Sequence, residues 1–260
     1  NKITKHNLNE RISLPVNKDE LYSLTSSINE LLDRIQNAME REKQFTADAS
    51  HQLRTPLAVL KGTLEVLVRK PRPETEYREK IIYSIQEIDR ISEIVNQLLI
   101  LARFDKNSQR ISYQEVNLQV TIDDILQRFR TTIQQKEIAI DVKTGGAPII
   151  SSDLYYVELI LENILSNAIK YSPQKGKITI TLKAEAEGVK CAITDNGIGI
   201  QAEDLENIFR PFFRSDELNH KEIKGNGLGL SIVKKACEVL GASVGVESEV
   251  GNGTVFAIVF

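Results

Sequence analysis

The sequence is poor in several things, and each shortage removes a class of function. Cysteine occurs only twice in 260 residues. Cys191 and Cys237 sit far apart in apolar contexts without metal-ligand spacing, so neither a disulfide framework nor a zinc site is expected and the thiols read as reduced. No run approaches the roughly 20 apolar residues that a helix needs to cross a bilayer, and no signal peptide opens the chain. Lysine and arginine together number 33 against 36 acidic residues. With no dense basic stripe among them, nucleic acid is not expected as a direct partner. Also missing are a P-loop and the catalytic-loop signature of serine, threonine and tyrosine kinases. The chain opens at Asn1 inside an amphipathic pattern, and is expected to be a fragment of something longer whose other parts include any membrane anchor.

What is present begins with helical periodicity. Leu24, Ile28, Leu31, Ile35 and Met39 recur at steps of four and three, the seam of a coiled coil. The seam continues through Phe45, Ala49, Leu53, Pro56, Leu60, Leu64 and Leu67, predicting one very long helix that the prolines at 71 and 73 stop. Pro56, inside it, removes a backbone hydrogen bond, so a bend near Thr55 is expected. A second helix, 74–105, carries the stripe Tyr77, Ile81, Ile85, Ile88, Ile91, Val95, Leu98 and Ala102, and should fold back antiparallel. Two helices with one apolar stripe each cannot bury those stripes alone. Two hairpins together make a closed four-helix bundle, so a homodimer is expected.

Past a polar stretch at 105–114 the pattern changes. A helix at 118–135 is followed by strand-like runs at 138–142, 177–184, 189–194, 243–247 and 254–260, interleaved with helices at 153–171 and 228–240. This reads as helices layered on one face of a mixed sheet, an α/β sandwich following the helical hairpin.

His51 lies two residues from both Ala49 and Leu53, so on a helix it points away from their seam and should be reachable from solvent. The thirteen residues FTADASHQLRTPL at 45–57 closely resemble the phosphoacceptor box of sensor histidine kinases. That resemblance implies that a ring nitrogen of His51 attacks the γ-phosphorus of ATP, and that Thr55, one turn on, positions water when the phosphorylated partner is dephosphorylated. Most members carry a carboxylate after the histidine; here the residue is Gln52. Its amide oxygen can fix the imidazole tautomer but cannot take a proton as a carboxylate would.

Four further pieces look like the ATP-binding domain shared by histidine kinases, Hsp90-type chaperones, type II topoisomerases and mismatch-repair ATPases. The helix LILENILSNAIKY at 159–171 puts Asn163, Asn167, Lys170 and Tyr171 on one polar face. The resemblance implies that Asn167 helps hold Mg²⁺, that Asn163 and Lys170 serve metal and phosphates, and that Tyr171 borders the nucleotide. DNGIG at 195–199 follows an apolar strand. There Asp195 would accept the adenine amino hydrogen, with Gly197 and Gly199 letting backbone approach the base. GNGLGL at 225–230 (Gly225, Gly227, Gly229, Leu230) opens a helix where free N–H groups favour phosphate oxygens. IFRPFFR at 208–214 resembles the family's phenylalanine box and makes Arg214 the candidate for the terminal phosphate. The segment 215–224 is expected to be a lid, and GNGTVF at 251–256 a structural turn to which no chemistry is assigned.

Hydrolysing relatives place a glutamate one turn before the metal-binding asparagine. That position is Asn163 here, and Glu162 points about 100° away around the helix, so transfer to His51 is favoured over hydrolysis. The resemblance therefore implies ATP- and Mg²⁺-dependent autophosphorylation on His51, phosphotransfer to an aspartate of a response regulator receiver domain, and phosphatase activity toward that regulator. Two alternatives stand beside it: a weakened nucleotide-binding dimeric scaffold, for which Gln52 speaks, and an ATPase. Residues 7–12 and 19–21 more loosely resemble the second half of a HAMP signal-relay module. The expected organisation is 1–44 HAMP remnant and coiled coil, 45–108 dimerisation and phosphotransfer hairpin, and 115–260 catalytic ATP-binding domain. The fragment would be cytoplasmic and its parent anchored in the bacterial membrane.

Overall fold

The computed structural model describes residues 10–104, 111–146, 148–185, 188–215 and 225–260. Its chain divides into two compact units that meet in sequence between Lys61 and Gly62. Residues 7–9 of the HAMP-like piece, and all of the expected lid except Ser215, fall outside the described residues.

The first unit is dominated by α1 (Glu20–Val68), which continues beyond it. Asp19 starts the helix: its carboxylate accepts from the backbone N–H groups of Leu21 and Tyr22 at 3.1 and 3.2 Å, satisfying donors that have no partner within the first turn. The segment before it is tied down by Asn29, whose amide accepts from Ile12 N–H and donates to Ile12 C=O, and by an Arg11–Asp33 ion pair. As the seam predicts, α1 runs from the coiled-coil stretch through the histidine box without a break, Pro56 included.

In the second unit the residues 69–73, with Pro71 and Pro73, end α1 and lead into α2 (Glu74–Phe104). The two long helices, joined at the prolines that the sequence pattern marks, form the helical region ahead of the sheet. In α2 the buried positions are Ser84, Glu87, Ile94 and Leu101, whereas Ile81, Ile85, Ile88, Val95 and Leu99 remain exposed. Leu24, Leu31 and Ile35 of α1 are likewise exposed. The apolar stripes are thus unfilled in a single chain.

The α/β part is built on a five-stranded sheet of order β2-β4-β5-β7-β6: β2 (Ala139–Gly145), β4 (Lys177–Glu185), β5 (Gly188–Asp195), β7 (Gly253–Val259) and β6 (Ser243–Glu249). β2 and β4 pair parallel and the remaining pairs are antiparallel. Burial alternates along β5, residue by residue, because successive side chains point to opposite faces. The fully buried face carries Cys191, Ile193, Ile178, Ile180 and Ile258. Against it lie α3 (Leu118–Arg128), α5 (Leu154–Tyr171) and α6 (Gly229–Leu240). α5 is the central helix. Val157, Ile160, Leu161, Ile164 and Leu165 are fully enclosed, and truncating one of them, Ile164→Ala, would cost about 2–5 kcal/mol.

Two features differ from the expectation. The helix foreseen at 118–135 is broken at Phe129, where φ −92° and ψ 4° end α3 before a short α4 (Arg130–Gln135) begins. A separate two-stranded antiparallel sheet, β1 (Gln114–Asn117) with β3 (Ile149–Ser152), had no visible pattern in four-residue, half-polar segments. Both cysteines are free and buried, and burial pushes their thiols up to about 12. No helix of the described residues is long and apolar enough to cross a membrane.

Candidate active site

In the first unit, His51 is exposed on α1, as its offset from the seam requires, and so is Thr55. The Thr55 hydroxyl donates to the His51 carbonyl at 3.2 Å. This ties the two residues one turn apart on the same strip of helix. Gln52 is half-buried and Pro56 buried.

The second unit contains a cleft of about 510 Å³, within the range of small-molecule sites. One wall is α5, and its placement follows from periodicity. The aliphatics at 157, 160, 161, 164 and 165 take the core side, so Asn163, Ser166, Asn167 and Lys170 turn to the cleft. Asn163 Nδ2 donates to Leu159 C=O at 2.7 Å. Its Oδ1 lies 2.7 Å from where a Cβ on Gly229 would stand.

Asp195 closes β5 and lines the cleft. It is only 6% exposed, and burial raises its carboxyl above the usual range, an effect partly offset by backbone N–H bonds from Gly197 and Thr254. The Gly197 N–H donates to Oδ1 at 2.8 Å. Gly197 itself does not line the cleft; it acts through Asp195. Gly199 does line it, at φ +73°, where a Cβ would meet the Glu249 carbonyl at 2.0 Å. Only glycine can make that turn.

Two cations converge on the same cleft. Lys170 and Arg214 both line the cleft, and Lys170 is lowered to about 8 by burial and then by the Arg214 charge. Tyr171 lies between them: Lys170 Nζ is 3.3 Å from its hydroxyl and 4.7 Å from its ring centre, and Arg214 hydrogen-bonds to its phenol. Burial raises the Tyr171 phenol, against the pull of Arg214. Two cations held together at the cost of proton affinity make a seat for an anion.

The glycine turn and the phenylalanine box interlock. Phe212 N–H donates to Gly227 C=O at 2.9 Å. At Gly227, φ is +72° and a Cβ would meet Phe212 backbone carbon at 2.7 Å. Gly225, Gly227, Gly229 and Leu230 all line the cleft. So of the residues foreseen for the nucleotide, all but Gly197 line one cleft.

Other residues were not foreseen. The turn at 251–256, to which no chemistry had been assigned, delivers Thr254 to Asp195, because β7 pairs with β5 in the register Asp195↔Thr254. Long-range register of that kind leaves no local mark. Ile198, Ile200, Ile208, Val250 and Phe256 supply apolar lining. Glu162 lies outside the lining and pairs instead with Arg128 at 3.3 Å.

Such a cleft fits a nucleotide and its metal. An enclosed acceptor flanked by aliphatics suits an amino-bearing base, and paired cations suit phosphates. Among the described residues no cluster of three His, Cys, Asp or Glu could hold a metal by itself. The available donors are amide oxygens, which suit a hard cation that keeps waters and shares phosphate oxygens.

Residues 41–107 match the family described as His Kinase A (phospho-acceptor) domain, and residues 152–260 the family described as Histidine kinase-, DNA gyrase B-, and HSP90-like ATPase. The chain belongs to the sensor histidine kinases, with a phosphoacceptor domain and an ATP-binding domain in tandem. It is 31% identical over 259 residues to the signal transduction histidine-protein kinase ArlS of Staphylococcus aureus (strain USA300), covering 99% of this chain and 57% of that protein. The chain thus spans a little over half the length of the curated relatives it matches. Among solved structures, it is similar to histidine kinase ThkA in complex with response regulator protein TrrA, at TM-score 0.68 and 25% identity over 86% of this chain and 65% of that one. Full-length ShkA in complex with AMPPNP is similar at TM-score 0.62 and 25% identity, over 83% of this chain and 45% of that one.

Proposed function

We propose that this chain phosphorylates itself on His51 using ATP and passes the phosphoryl group to an aspartate of a response regulator. The observation that carries this reading is that one chain holds an exposed histidine in a phosphoacceptor box and a cleft lined by both a buried carboxyl acceptor and paired cations. A ring nitrogen of His51 forms the P–N bond as the bond from the γ-phosphorus to the bridging oxygen breaks and ADP departs; the ring then loses its N–H proton. The Gln52 amide oxygen orients the imidazole. Because phosphoryl transfer has a loose transition state, positioning and charge stabilisation supply most of the catalysis. Arg214 and Lys170 serve the transferring phosphate, Asp195 the adenine amino group, and Tyr171 the nucleotide's flank. Asn167, with Asn163, would hold Mg²⁺, which when bound neutralises phosphate charge.

The same reading extends to the partners. Transfer to a regulator aspartate exchanges the P–N bond for an acyl phosphate. Thr55, exposed beside His51, would align a water for the phosphatase reaction, in which that acyl phosphate is hydrolysed to free phosphate and the aspartate carboxylate. The exposed stripes of α1 and α2 support a homodimer in which two hairpins close a four-helix bundle. Likeness to a kinase bound to its regulator supports a receiver domain as partner, and likeness to a kinase bound to AMPPNP supports ATP as the nucleotide. The organisation would be a HAMP remnant and signalling coiled coil over 1–44, the phosphotransfer hairpin over 45–108 and the catalytic domain over 115–260, in a cytoplasmic part of a membrane-anchored sensor.

Hydrolysis is disfavoured because α5 puts no carboxylate into the cleft and Glu162 is paired with Arg128. Incubation with γ-labelled ATP and Mg²⁺ separates the readings. The expected result is acid-labile, alkali-stable label on the protein that disappears in His51→Ala. Free phosphate without labelled protein would instead mark a hydrolase, and nucleotide binding with neither would mark a scaffold.

A further inference from the structure

The cleft has a wall that no nucleotide motif announces. Gln86, Arg90, Glu93 and Gln97 of α2, at steps of four, three and four, line it together with the ATP-binding motifs, and α2 packs against α6. Further along the same stripe the residues become apolar: Ile100 and then Phe104, whose ring lies 5.8 Å from that of Tyr156 and joins the core. The stripe is therefore polar where α2 borders the cleft and apolar where it borders the core. A helix stripe meant only for solvent would show no such change.

Within that stripe one buried atom has no hydrogen-bond partner among the described residues. Gln97 Nε2 donates to Glu93 Oε1 at 2.9 Å. A carboxylate only accepts, so this bond fixes which end of the amide is nitrogen. The other end, Oε1, is buried and accepts no hydrogen bond among the described residues. A buried acceptor left unpaired is costly, so a donor supplied by a ligand would be favoured. Phosphate oxygens cannot supply it, and the base's amino group is matched by Asp195. The remaining donors of a metal–nucleotide complex are O–H groups.

We propose that α2 is a wall of the nucleotide site and that Gln97 Oε1 accepts a hydrogen bond from an O–H group of the bound metal–nucleotide complex. This rests on the nucleotide reading of the cleft. The O–H group belongs either to the sugar or to a water held by the metal, and the two are separable.

Calorimetric titration of the full chain with ATP and Mg²⁺ tests it. Gln97→Met keeps length and helix propensity and removes the acceptor; ATP should bind it about five- to tenfold more weakly than wild type, the worth of one ordinary hydrogen bond. If a sugar hydroxyl is the donor, 2′-deoxy-ATP or 3′-deoxy-ATP binds wild type more weakly by that factor and the variant no longer discriminates. If a metal-held water is the donor, both analogues bind like ATP, and the variant raises the Mg²⁺ concentration needed for half-maximal binding by the same factor. Unchanged ATP affinity and Mg²⁺ requirement in Gln97→Met would overturn the proposal while leaving the nucleotide reading intact. A wild-type chain that binds no ATP would overturn both.

Discussion

Lys170 and Asp195 both line the cleft, and their proton affinities are shifted in opposite directions. Lys170 is charged below about 8 and neutral above it, so its attraction for phosphate is present at neutral pH and fades as pH rises through that value. Asp195 accepts an amino hydrogen more strongly when ionised, and its raised carboxyl protonates earlier than an ordinary one as pH falls. ATP affinity measured against pH should therefore be bell-shaped, with an alkaline limb near 8 that Lys170→Met flattens. Gly227→Ala forces a Cβ into the left-handed region and against Phe212; it should cost about 1–3 kcal/mol, read as a lowered thermal midpoint together with weaker nucleotide binding. Gln52 leads to a third outcome. If the missing carboxylate limits proton removal from the imidazole, Gln52→Glu raises the rate of phosphohistidine formation, followed with labelled ATP; an unchanged or lower rate refutes that cause. Lys136 belongs at this scale too. Its ammonium donates to the carbonyls of Ile169, Lys170 and Ser172 at 2.7–2.9 Å, capping the end of α5 that carries Lys170 and Tyr171.

Among the elements, α2 has two different faces. One lines the cleft and joins the core through Phe104; the other leaves Ile85 52% and Ile88 49% exposed. A charge placed on that second face, as in Ile88→Glu, should break the proposed dimer, since burying an unpaired carboxylate costs about 3–5 kcal/mol. Light scattering should then report a monomer that still binds ATP. The same helix shows what a sequence reveals and what it hides. Its existence and its ends were legible from the stripe and from Pro71 and Pro73, as α5 and β5 were from their periods of 3.6 and 2. The cleft residues of α5 followed from the same geometry, because fixing the aliphatic side of a helix fixes its polar side. What was hidden is of two kinds. The breaks and strands at Phe129, β1 and β3 are too short to carry a period. The delivery of Thr254 to Asp195 and of Gln97 to the cleft depends on contacts between segments distant in sequence, for which the residues themselves hold no local sign.

For the whole molecule, the division of labour follows from the chemistry of its two ends. The long helix offers an exposed imidazole and no means of holding a nucleotide; the sheet-and-helix lobe offers a nucleotide cleft and, from α5, no carboxylate to activate water. Under the proposed function each supplies what the other lacks, and His51, the one histidine among the described residues, is the acceptor that would complete the reaction without hydrolysis. Transfer, rather than turnover of ATP to free phosphate, is what the proposed function requires. The chain contains three histidines, so the claim has an internal control. Incubation of the full chain with ATP and Mg²⁺, followed by tandem mass spectrometry under alkaline handling, maps any phosphate to its side chain. The account predicts phosphate on His51 and on neither His6 nor His220; a chain that binds ATP yet carries phosphate elsewhere, or none, contradicts it.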